Sequence, residues 1–241
     1  MISVIIPTYK EEKWIGGTLA YLQGSVKMTN HEIIVSDSES PDKTVEIART
    51  FKNAKVVTLP KGKPRGIAQG RNDGAAAAKG DIFVFTDADV TIPQPDDFFR
   101  KAAEKFAADP KLGAFAPRLA VIPSRSRLGD RIVYFLTNGL FWAANKFLNW
   151  GMAAGECIVI RASVFREVGG FRENLSVAED MDLFARIAKK YKTRTALDLV
   201  AYHSGRRFEQ RGAFRTMFEW IGNTLQMWTK KSVKKEWESV R

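Results

Sequence analysis

The fold is decided by an apolar stretch that ends in two aspartates, Ile82-Phe83-Val84-Phe85-Thr86-Asp87-Ala88-Asp89. Four consecutive apolar residues between polar neighbours are typical of a strand buried on both faces, as in a parallel sheet. Similar runs occur at Ser3 to Pro7, Glu32 to Val35 and Ala54 to Leu59. Helix-like segments separate them. This alternation predicts an α/β fold with right-handed crossovers and a mostly parallel, Rossmann-like central sheet flanked by helices.

The other segments have helical or strand patterns of their own. Helices are predicted at Lys10 to Gln23, after Ser40-Pro41, and at Arg71 to Lys79, Asp96 to Ala108, Arg131 to Trp150, Glu179 to Tyr191 and Arg211 to Lys231. Strands are predicted at Ala114 to Ile122, Cys157 to Arg161 and Arg194 to Tyr202. The last helix is amphipathic and basic, and we expect it to form a C-terminal extension over residues 206–241.

The composition restricts the partners and the compartment. A formal net charge of +11 over 241 residues favours an anionic partner: nucleic acid, an anionic membrane surface or phosphorylated small molecules. Cys157 is the only cysteine, so no internal disulfide can form and a reducing compartment is expected. The N-terminus enters a core-like strand without features of a secretory signal. No run of about 18 apolar residues predicts an ordinary transmembrane helix, and we expect a cytoplasmic location.

Asp87 and Asp89 stand one residue apart just beyond a buried strand, where a small Ala88 lets both carboxylates turn into one cleft. Hard oxygen ligands suit Mg²⁺ or Mn²⁺. Such an ion neutralises a diphosphate and makes it a better leaving group. The alternative is a solvated acidic turn. Ligands of parallel sheets bind beyond the C-terminal strand ends, and this position favours the metal site.

Polar residues also follow the first two strands, at 8–11 and 36–39. Asp37 has two interpretations: its carboxylate accepts a hydrogen bond from a nucleobase ring N–H, or it caps the next helix. Arg71 follows Gly70 at the predicted start of a helix, where it would contact the donor diphosphate or base. The alternative for Arg71 is a structural salt bridge.

Two later clusters are candidates for catalysis and for further ligand contacts. Glu179-Asp180 opens a predicted helix, whose dipole would keep a carboxylate ionised as a general base. Ordinary charge complementarity at a helix N-terminus is the alternative. His203 follows the last strand and would complete the metal site, while Arg206 and Arg207 would clamp phosphates. A structural role for His203 is the alternative.

Together these residues resemble glycosyltransferase family 2, with the GT-A fold, over roughly residues 1–205. The resemblance rests on the order and spacing of several motifs: Val4-Ile5-Ile6-Pro7-Thr8-Tyr9-Lys10-Glu11-Glu12, Glu32-Ile33-Ile34-Val35-Ser36-Asp37-Ser38-Glu39-Ser40, Gly70-Arg71-Asn72-Asp73-Gly74, Asp87-Ala88-Asp89, Val168-Gly169-Gly170-Phe171, Glu179-Asp180 and His203. It implies a nucleotide-binding half at 1–90, an acceptor-binding half at 91–205 and a helical tail at 206–241.

The resemblance implies an inverting hexosyltransferase that uses a nucleoside-diphosphate sugar and Mn²⁺ or Mg²⁺, with a UDP-sugar favoured over a GDP-sugar. Asp89 would be the chief metal ligand, Asp87 would lie near the ribose or the metal, and Asp180, beside Glu179, would be the catalytic base. The expected donor-binding set is Pro7, Thr8, Tyr9, Glu11, Asp37, Arg71, Asp87, Arg206 and Arg207. Two departures matter. Ser36 stands where the family commonly has an aspartate, which leaves the nucleobase open, and the Gln-x-x-Arg-Trp motif of processive synthases is absent.

Two apolar segments suggest a membrane contact. Arg125, Arg127 and Arg131 precede the apolar residues 132–150, and lysines follow the last helix. We expect peripheral contact with the cytoplasmic membrane face through 125–150 and 212–235. Packing on the core or a homodimer seam is the alternative. A membrane contact would favour a polyprenyl-phosphate or lipid-linked acceptor. Without one, the acceptor would be a soluble or protein-bound glycan.

Two other functions fit the sequence less well. A sugar-nucleotide pyrophosphorylase needs a glycine-rich, basic loop after the first strand, where this chain has Pro7-Thr8-Tyr9-Lys10-Glu11. A basic nucleic-acid-binding protein would interleave basic and aromatic residues on one surface, whereas the strand ends here are acidic. We therefore expect no nucleic-acid partner.

Overall fold

The computed structural model describes residues 1–58, 66–175 and 177–230, with side chains as far as residue 224. Its centre is an eight-stranded sheet in the order β3-β2-β1-β4-β7-β6-β8-β5. The strands are β1 Ile2–Thr8, β2 His31–Asp37, β3 Ala54–Thr58, β4 Ile82–Thr86, β5 Val90–Thr91, β6 Leu112–Val121, β7 Cys157–Arg161 and β8 Lys192–His203. The first four strands pair in parallel, β7 is antiparallel to β4 and β6, and β6 is parallel to β8. The predicted α/β fold with a mostly parallel sheet is confirmed.

Helices cover both faces of the sheet. They are α1 Ile15–Ser25, α2 Thr44–Arg49, α3 Ile67–Ala76, α4 Pro95–Ala108, α5 Leu128–Ala143, α6 Ala162–Glu167, α7 Glu179–Ala188, α8 Arg206–Arg211 and α9 Ala213–Lys230. A π-helical turn, Ala144–Leu148, extends α5. Of the predicted elements, β3 and α9 were expected to end at Leu59 and Lys231, which lie outside the described residues. No helix in the described part of the chain is both long and apolar enough to cross a bilayer.

The predicted start of α3 is wrong. The helix begins at Ile67, with Gly66 in extended conformation before it, so Arg71 lies in the second turn and not at the N-terminus. Gly70 and Gly74 are inside the helix because α3 packs closely on the sheet. A Cβ at Gly74 would lie 2.4 Å from Ile5 Cγ2. The glycine that suggested a boundary therefore marks a close contact between helix and strand.

Other boundaries differ for local reasons. α1 begins at Ile15, not Lys10, because Lys10 has a φ of 59° and the backbone turns there before the helix starts. α5 begins at Leu128, three residues before the prediction, because Asp130 Oδ2 accepts a hydrogen bond from the Arg127 N–H at 2.8 Å and caps the helix. The short elements β5, α6 and α8 were not predicted.

Two apolar layers pack on the sheet, one on each face. Alternate residues of β1 enter opposite layers: Val4 and Ile6 pack with α1, α4 and α5, while Ile5 packs with α3, α6 and α7. This alternation follows from the two-residue period of a strand. Because β1, β2 and β4 are parallel and in register, their polar ends at Thr8, Asp37 and Thr86 lie along the same edge of the sheet.

Candidate active site

A cavity of about 1090 Å³ opens at this edge of the sheet. It is lined by every residue of the predicted site except Asp37: Pro7, Thr8, Tyr9, Glu11, Arg71, Asp87, Asp89, Glu179, Asp180, His203, Arg206 and Arg207. The residues come from the ends of β1, β4 and β8, from α3, and from the first turns of α7 and α8. The fold thus brings separate sequence motifs to one cavity.

Arg71 is the centre of the polar part of this cavity. It is 1% exposed, and its Nη1 donates to Glu179 Oε1 at 2.6 Å. Its Nη2 donates to the Gly155 carbonyl oxygen at 2.7 Å and to Asp87 Oδ1 at 3.3 Å. Burial alone would lower the pKa of Arg71, but attraction to Asp87 and Glu179 outweighs it and raises the pKa. A permanent cation therefore joins the two acidic motifs.

Asp87 is buried close to two other carboxylates, those of Asp89 and Glu156. Burial raises its pKa to about 7, Arg71 opposes this rise, and the negative charges of Asp89 and Glu156 add to it. The backbone of this loop is fixed, since the Thr18 hydroxyl donates to the Ala88 carbonyl oxygen at 2.5 Å. The loop consequently aims a carboxylate into a site whose local charge favours an additional cation.

Asp89 lies beside the start of α8. Its Oδ2 accepts a hydrogen bond from the Ser204 hydroxyl and lies 3.2 Å from Arg206 Nε. The other two nitrogens of Arg206 bind Glu11 in a bidentate pair at 2.9 and 3.0 Å. Arg206, predicted to clamp phosphates, therefore links Glu11 to Asp89 inside the protein. Arg207 lines the cavity too, and burial lowers its pKa.

Glu179 and Asp180 occupy the first turn of α7. Glu179 is paired with Arg71, and Asp180 Oδ1 accepts from the Met181 N–H at 2.8 Å. Burial, and then repulsion from Glu179, raise the pKa of Asp180 to about 8. Burial and Glu179 therefore oppose the predicted effect of the helix dipole, which favours the ionised form of Asp180. Gly155 fits tightly between the groups, because a Cβ there would lie 2.9 Å from Asp180 Oδ2.

His203 has hydrogen-bond partners at both ring nitrogens. Its Nδ1 accepts from the Gly205 N–H at 3.1 Å, so a neutral ring carries its proton on Nε2, which donates to the Tyr134 oxygen at 2.6 Å. Burial lowers the pKa of His203, which favours this neutral form. Among the described residues, no three His, Cys, Asp or Glu side chains converge to hold a metal. Asp87, Asp89 and His203, the predicted metal ligands, line the same cavity.

Asp87 and Asp89 nevertheless fit a divalent cation. Both offer carboxylate oxygens, which Mg²⁺ and Mn²⁺ prefer. The raised pKa of Asp87 arises from burial and nearby negative charge, which a cation would offset. His203 would have to break its hydrogen bond with Tyr134 to offer Nε2, so the aspartates suit the ion better than the histidine does.

Asp37 is fully buried and has a local structural role. Its Oδ1 accepts from the Ser40 N–H at 2.8 Å, and its Oδ2 accepts from the Ser40 and Thr8 hydroxyls at 2.6 and 2.9 Å. These bonds hold the turn after β2 against the end of β1. Ser38, from the same turn, lines the cavity.

The far end of the cavity was not predicted from the sequence. This end is apolar and is formed by side chains from α5, the segment 150–154, α7 and α9, including Leu136, Leu140, Phe141, Trp150, Met181, Trp220 and Ile221. Tyr134 and Glu156, which also line the cavity, were not predicted as site residues either. Glu156 could have been found, because Gly155-Glu156 is a polar pair directly before the apolar strand β7, a position like that of the other site residues at strand ends. The apolar stripes of α5 and α9 were visible in the sequence, but nothing indicated that they share a cavity, because they are far apart along the chain.

Comparison with known proteins identifies the family. The model of glycosyl transferase family 2 matches residues 3–169. A dolichol-phosphate mannosyltransferase from Pyrococcus furiosus is 34% identical over 93 residues, which are 38% of this chain and 26% of that protein. A glycosyltransferase from Methanococcus voltae that acts on a dolichyl-phosphate-linked sugar is 32% identical over 112 residues, 44% of this chain and 33% of that protein. The chain therefore spans about a quarter to a third of these relatives.

Solved structures show the same fold. A mannosyltransferase from Pyrobaculum calidifontis, in complex with GDP-Man and Mn²⁺, has a TM-score of 0.67 at 24% identity, covering 92% of this chain and 64% of that one. Glucosyl-3-phosphoglycerate synthase from Mycobacterium tuberculosis, in complex with Mn²⁺, UDP and its product, has a TM-score of 0.58 at 22% identity, covering 94% and 79%. Since the family model covers more than half of the residues, this chain belongs to glycosyl transferase family 2 and has its GT-A fold.

Proposed function

We propose that the protein is a metal-dependent, inverting glycosyltransferase that moves a hexosyl group from a nucleoside-diphosphate sugar to a hydroxyl or phosphate acceptor. One observation supports this above the others. The acidic pairs Asp87/Asp89 and Glu179/Asp180 face the same cavity, and buried Arg71 joins them. This arrangement supports a leaving-group site at Asp87 and Asp89 beside a base at Asp180.

The donor would bind at the β1 end of the cavity. Pro7, Thr8 and Tyr9 line this end, and Asp37 would support it indirectly by holding Thr8. Arg207 lines the cavity and would meet the phosphates. A UDP-sugar is favoured and a GDP-sugar is the alternative. One of the similar structures contains GDP-Man and the other contains UDP, so they do not choose between the two bases. Ser36, which stands where the family commonly has an aspartate, does not choose between them either.

Asp89 and Asp87 would hold a divalent cation, Mn²⁺ or Mg²⁺. When bound, the ion would neutralise the diphosphate and so improve the leaving group. Both structures named above contain Mn²⁺. Arg71 would hold Asp87 in position, because its guanidinium already pairs with that carboxylate.

Asp180 would act as the general base. As the acceptor oxygen attacks the anomeric carbon, Asp180 takes the hydroxyl proton while the bond from that carbon to the diphosphate oxygen breaks. One in-line displacement inverts the configuration. A carboxylate whose pKa is raised to about 8 is a stronger base than an ordinary aspartate, but it must first lose its own proton. An ionised phosphate acceptor would not need this step.

The acceptor would be a polyprenyl phosphate, a lipid-linked glycan or another glycan. The relatives from Pyrococcus furiosus and Methanococcus voltae have dolichol phosphate and a dolichyl sugar phosphate in their names, which supports a lipid-linked acceptor. We propose a cytoplasmic protein, peripheral at the membrane. A homodimer is the alternative use of its exposed apolar helices.

A thermal-shift panel tests the donor proposal. UDP, GDP and their sugars are added with Mn²⁺ or Mg²⁺, and a ligand at about 100 times its Kd should stabilise the native state by about 2.7 kcal/mol. One nucleotide family should raise the Tm only with metal. Asp89→Asn should remove this shift, whereas Asp198→Asn, on the exposed part of β8, should retain it. A panel with no metal-dependent shift would overturn the proposal.

A further inference from the structure

Large exposed hydrophobic side chains concentrate on one side of the molecule. Of the fourteen in the described residues, eleven lie on α5, its extension to Trp150, or α9. They are Leu128, Ile132, Phe135, Leu136, Leu140, Phe147, Leu148, Trp150, Phe214, Phe218 and Ile221. We call this surface the α5–α9 face. Contiguous apolar surface of this kind marks an interaction site in a soluble domain.

Both helices have an inner and an outer apolar side. On α5, Val133 and Tyr134 are buried, whereas Phe135 is 80% exposed and Leu128 74% exposed. On α9, Met217 and Trp220 pack against the core, while Phe218 is 66% exposed. The helices touch through Tyr134 and Trp220, whose ring centroids are 6.4 Å apart. Packing on the core, one alternative from the sequence, therefore accounts for only one side of each helix.

The exposed charges around the α5–α9 face are mostly positive. On α9, Glu219 is partly exposed and already pairs with Arg211 and Arg215. Between Arg125 and Gly151 the only acidic residue is Asp130, which is buried and caps α5. Arg127, Arg131 and Lys146 are exposed in the same segment. Cations beside an apolar stripe complement an anionic bilayer, where the apolar side chains enter the acyl boundary and the cations meet the headgroups.

A second copy of the chain fits this surface less well. A twofold contact would bring the same surface from both copies together. Arg127 and Arg131 of each copy would enter the interface, and no exposed acidic residue between Arg125 and Gly151 would offset them. Glu219 on α9 is already paired with Arg211 and Arg215. The charge pattern therefore favours a lipid surface over a homodimer.

The cavity opens on this same surface. Leu136, Leu140 and Ile221 are exposed on the α5–α9 face and also line the apolar end of the cavity. Asp87 and Asp180 line its other end. A molecule with a polar head and an apolar chain would therefore place the head at the acidic residues and direct the chain toward the surface.

We propose that the α5–α9 face docks on an anionic bilayer, and that the acceptor enters the cavity from the lipid with its apolar chain between α5 and α9. The acceptor route rests on the proposed function, because the acceptor belongs to that reaction. The docking surface does not depend on the proposed function, because it is inferred from the exposed side chains and charges alone.

Flotation with lipid vesicles tests the docking. The full chain is mixed with phosphatidylcholine vesicles with or without phosphatidylglycerol. Wild type should float with the anionic vesicles, and Phe135→Gln/Phe218→Gln should lower the partition coefficient by about tenfold or more, because two aromatic side chains no longer enter the lipid. The matched control is Met28→Gln/Leu197→Gln, since both side chains are exposed elsewhere. Arg127→Ser/Arg131→Ser should weaken the dependence on phosphatidylglycerol, unlike Lys52→Ser/Lys79→Ser.

A soluble probe tests the acceptor route. Decyl phosphate, below its micelle concentration, should raise the Tm of vesicle-free wild type, methyl phosphate should not, and Leu140→Gln/Ile221→Gln should lose the shift. Absence of a decyl phosphate shift would overturn this route.

Three further outcomes separate the claims. Equal flotation of the Phe135/Phe218 variant and its control would overturn the docking surface. A wild-type dimer in light scattering that the Phe135/Phe218 variant converts to monomer, without vesicle binding, would assign the face to a second copy. Vesicle binding that depends on Phe135 and Phe218, without any metal-dependent nucleotide shift, would leave docking intact and overturn the proposed function.

Discussion

Replacing Arg71 with methionine should destabilise the protein strongly, because it leaves Glu179 and Asp87 without their buried cation. Arg71 is 1% exposed and pairs with both carboxylates. Removing one partner of a buried ion pair typically costs about 3–5 kcal/mol. For a domain of this size, about 2–4 °C of Tm is lost per kcal/mol, so the Tm should fall by roughly 6–20 °C.

The charge origin of this loss can be separated from lost packing by changing the pH. The pKa of Asp87 is raised to about 7, so lowering the pH from 8 to 5 protonates it and leaves less charge for Arg71 to neutralise. The stability difference between wild type and Arg71→Met should therefore shrink as the pH falls.

Urea unfolding followed by circular dichroism at pH 8 and pH 5 measures both effects. Arg71→Lys keeps the charge but loses the planar fork, and should be intermediate. Arg100→Met is the matched surface control, because the ion-pair partners of Arg100 in the described residues are exposed residues of α4. The stability of this variant should match wild type. A loss for Arg71→Met below about 1 kcal/mol, or one independent of pH, would refute the reasoning, since either result means that the buried pairs carry little energy.

Further predictions concern the base and the cavity wall. Asp180→Asn should lower kcat by about 10²–10⁴-fold with donor affinity unchanged by calorimetry, and near-normal turnover would remove Asp180 from the base role. With a hydroxyl acceptor, wild-type kcat should rise with pH until about 8, because the pKa of Asp180 is raised to about 8; a flat profile from pH 6 to 9 would contradict this. Because the pKa of Asp180 is higher in the folded state than in the unfolded state, the free energy of unfolding should fall as the pH rises from about 4 through 8. Asp180→Asn should make the free energy of unfolding, measured by urea titration, less dependent on pH. Tyr134→Phe removes the partner of His203 Nε2 and should cost about 1–3 kcal/mol. Tyr21→Phe loses only a partly buried bond to the Ile92 carbonyl oxygen and should cost less; equal losses in urea unfolding would contradict an energetic role for the buried bond between Tyr134 and His203.

The sheet and its polar edge were predictable because a buried parallel strand leaves a clear mark in the sequence. The runs that became β1 and β4 are continuous and apolar, and parallel pairing brings their ends together. The positions of Thr8, Asp87 and Asp89 near one cavity follow from that pattern.

The partners of the site residues were not predictable from local patterns. Arg71 pairs with Glu179, 108 residues away, and Arg206 pairs with Glu11, 195 residues away. Gly70 resembled a helix boundary, although it lies inside α3 near Pro7. Only the tertiary fold shows that these residues contact one another.

The apolar end of the cavity was missed for a related reason. The hydrophobic stripes of α5 and α9 were visible in the sequence, but their common cavity depends on how the two helices pack. Tyr134 on α5 contacts Trp220 on α9, and no sequence pattern indicates that these two helices pack together.

Mn²⁺ binding followed by electron paramagnetic resonance tests the central claim most directly. Wild-type protein is titrated with Mn²⁺ in the presence of the nucleoside diphosphate that stabilises it best, beside Asp89→Asn and the surface control Asp198→Asn. We expect wild type and Asp198→Asn to bind the ion equally and Asp89→Asn to bind it at least about tenfold more weakly, a loss of about 1.4 kcal/mol or more. Equal Mn²⁺ affinity in Asp89→Asn and wild type would contradict the assignment of the metal site to the end of β4.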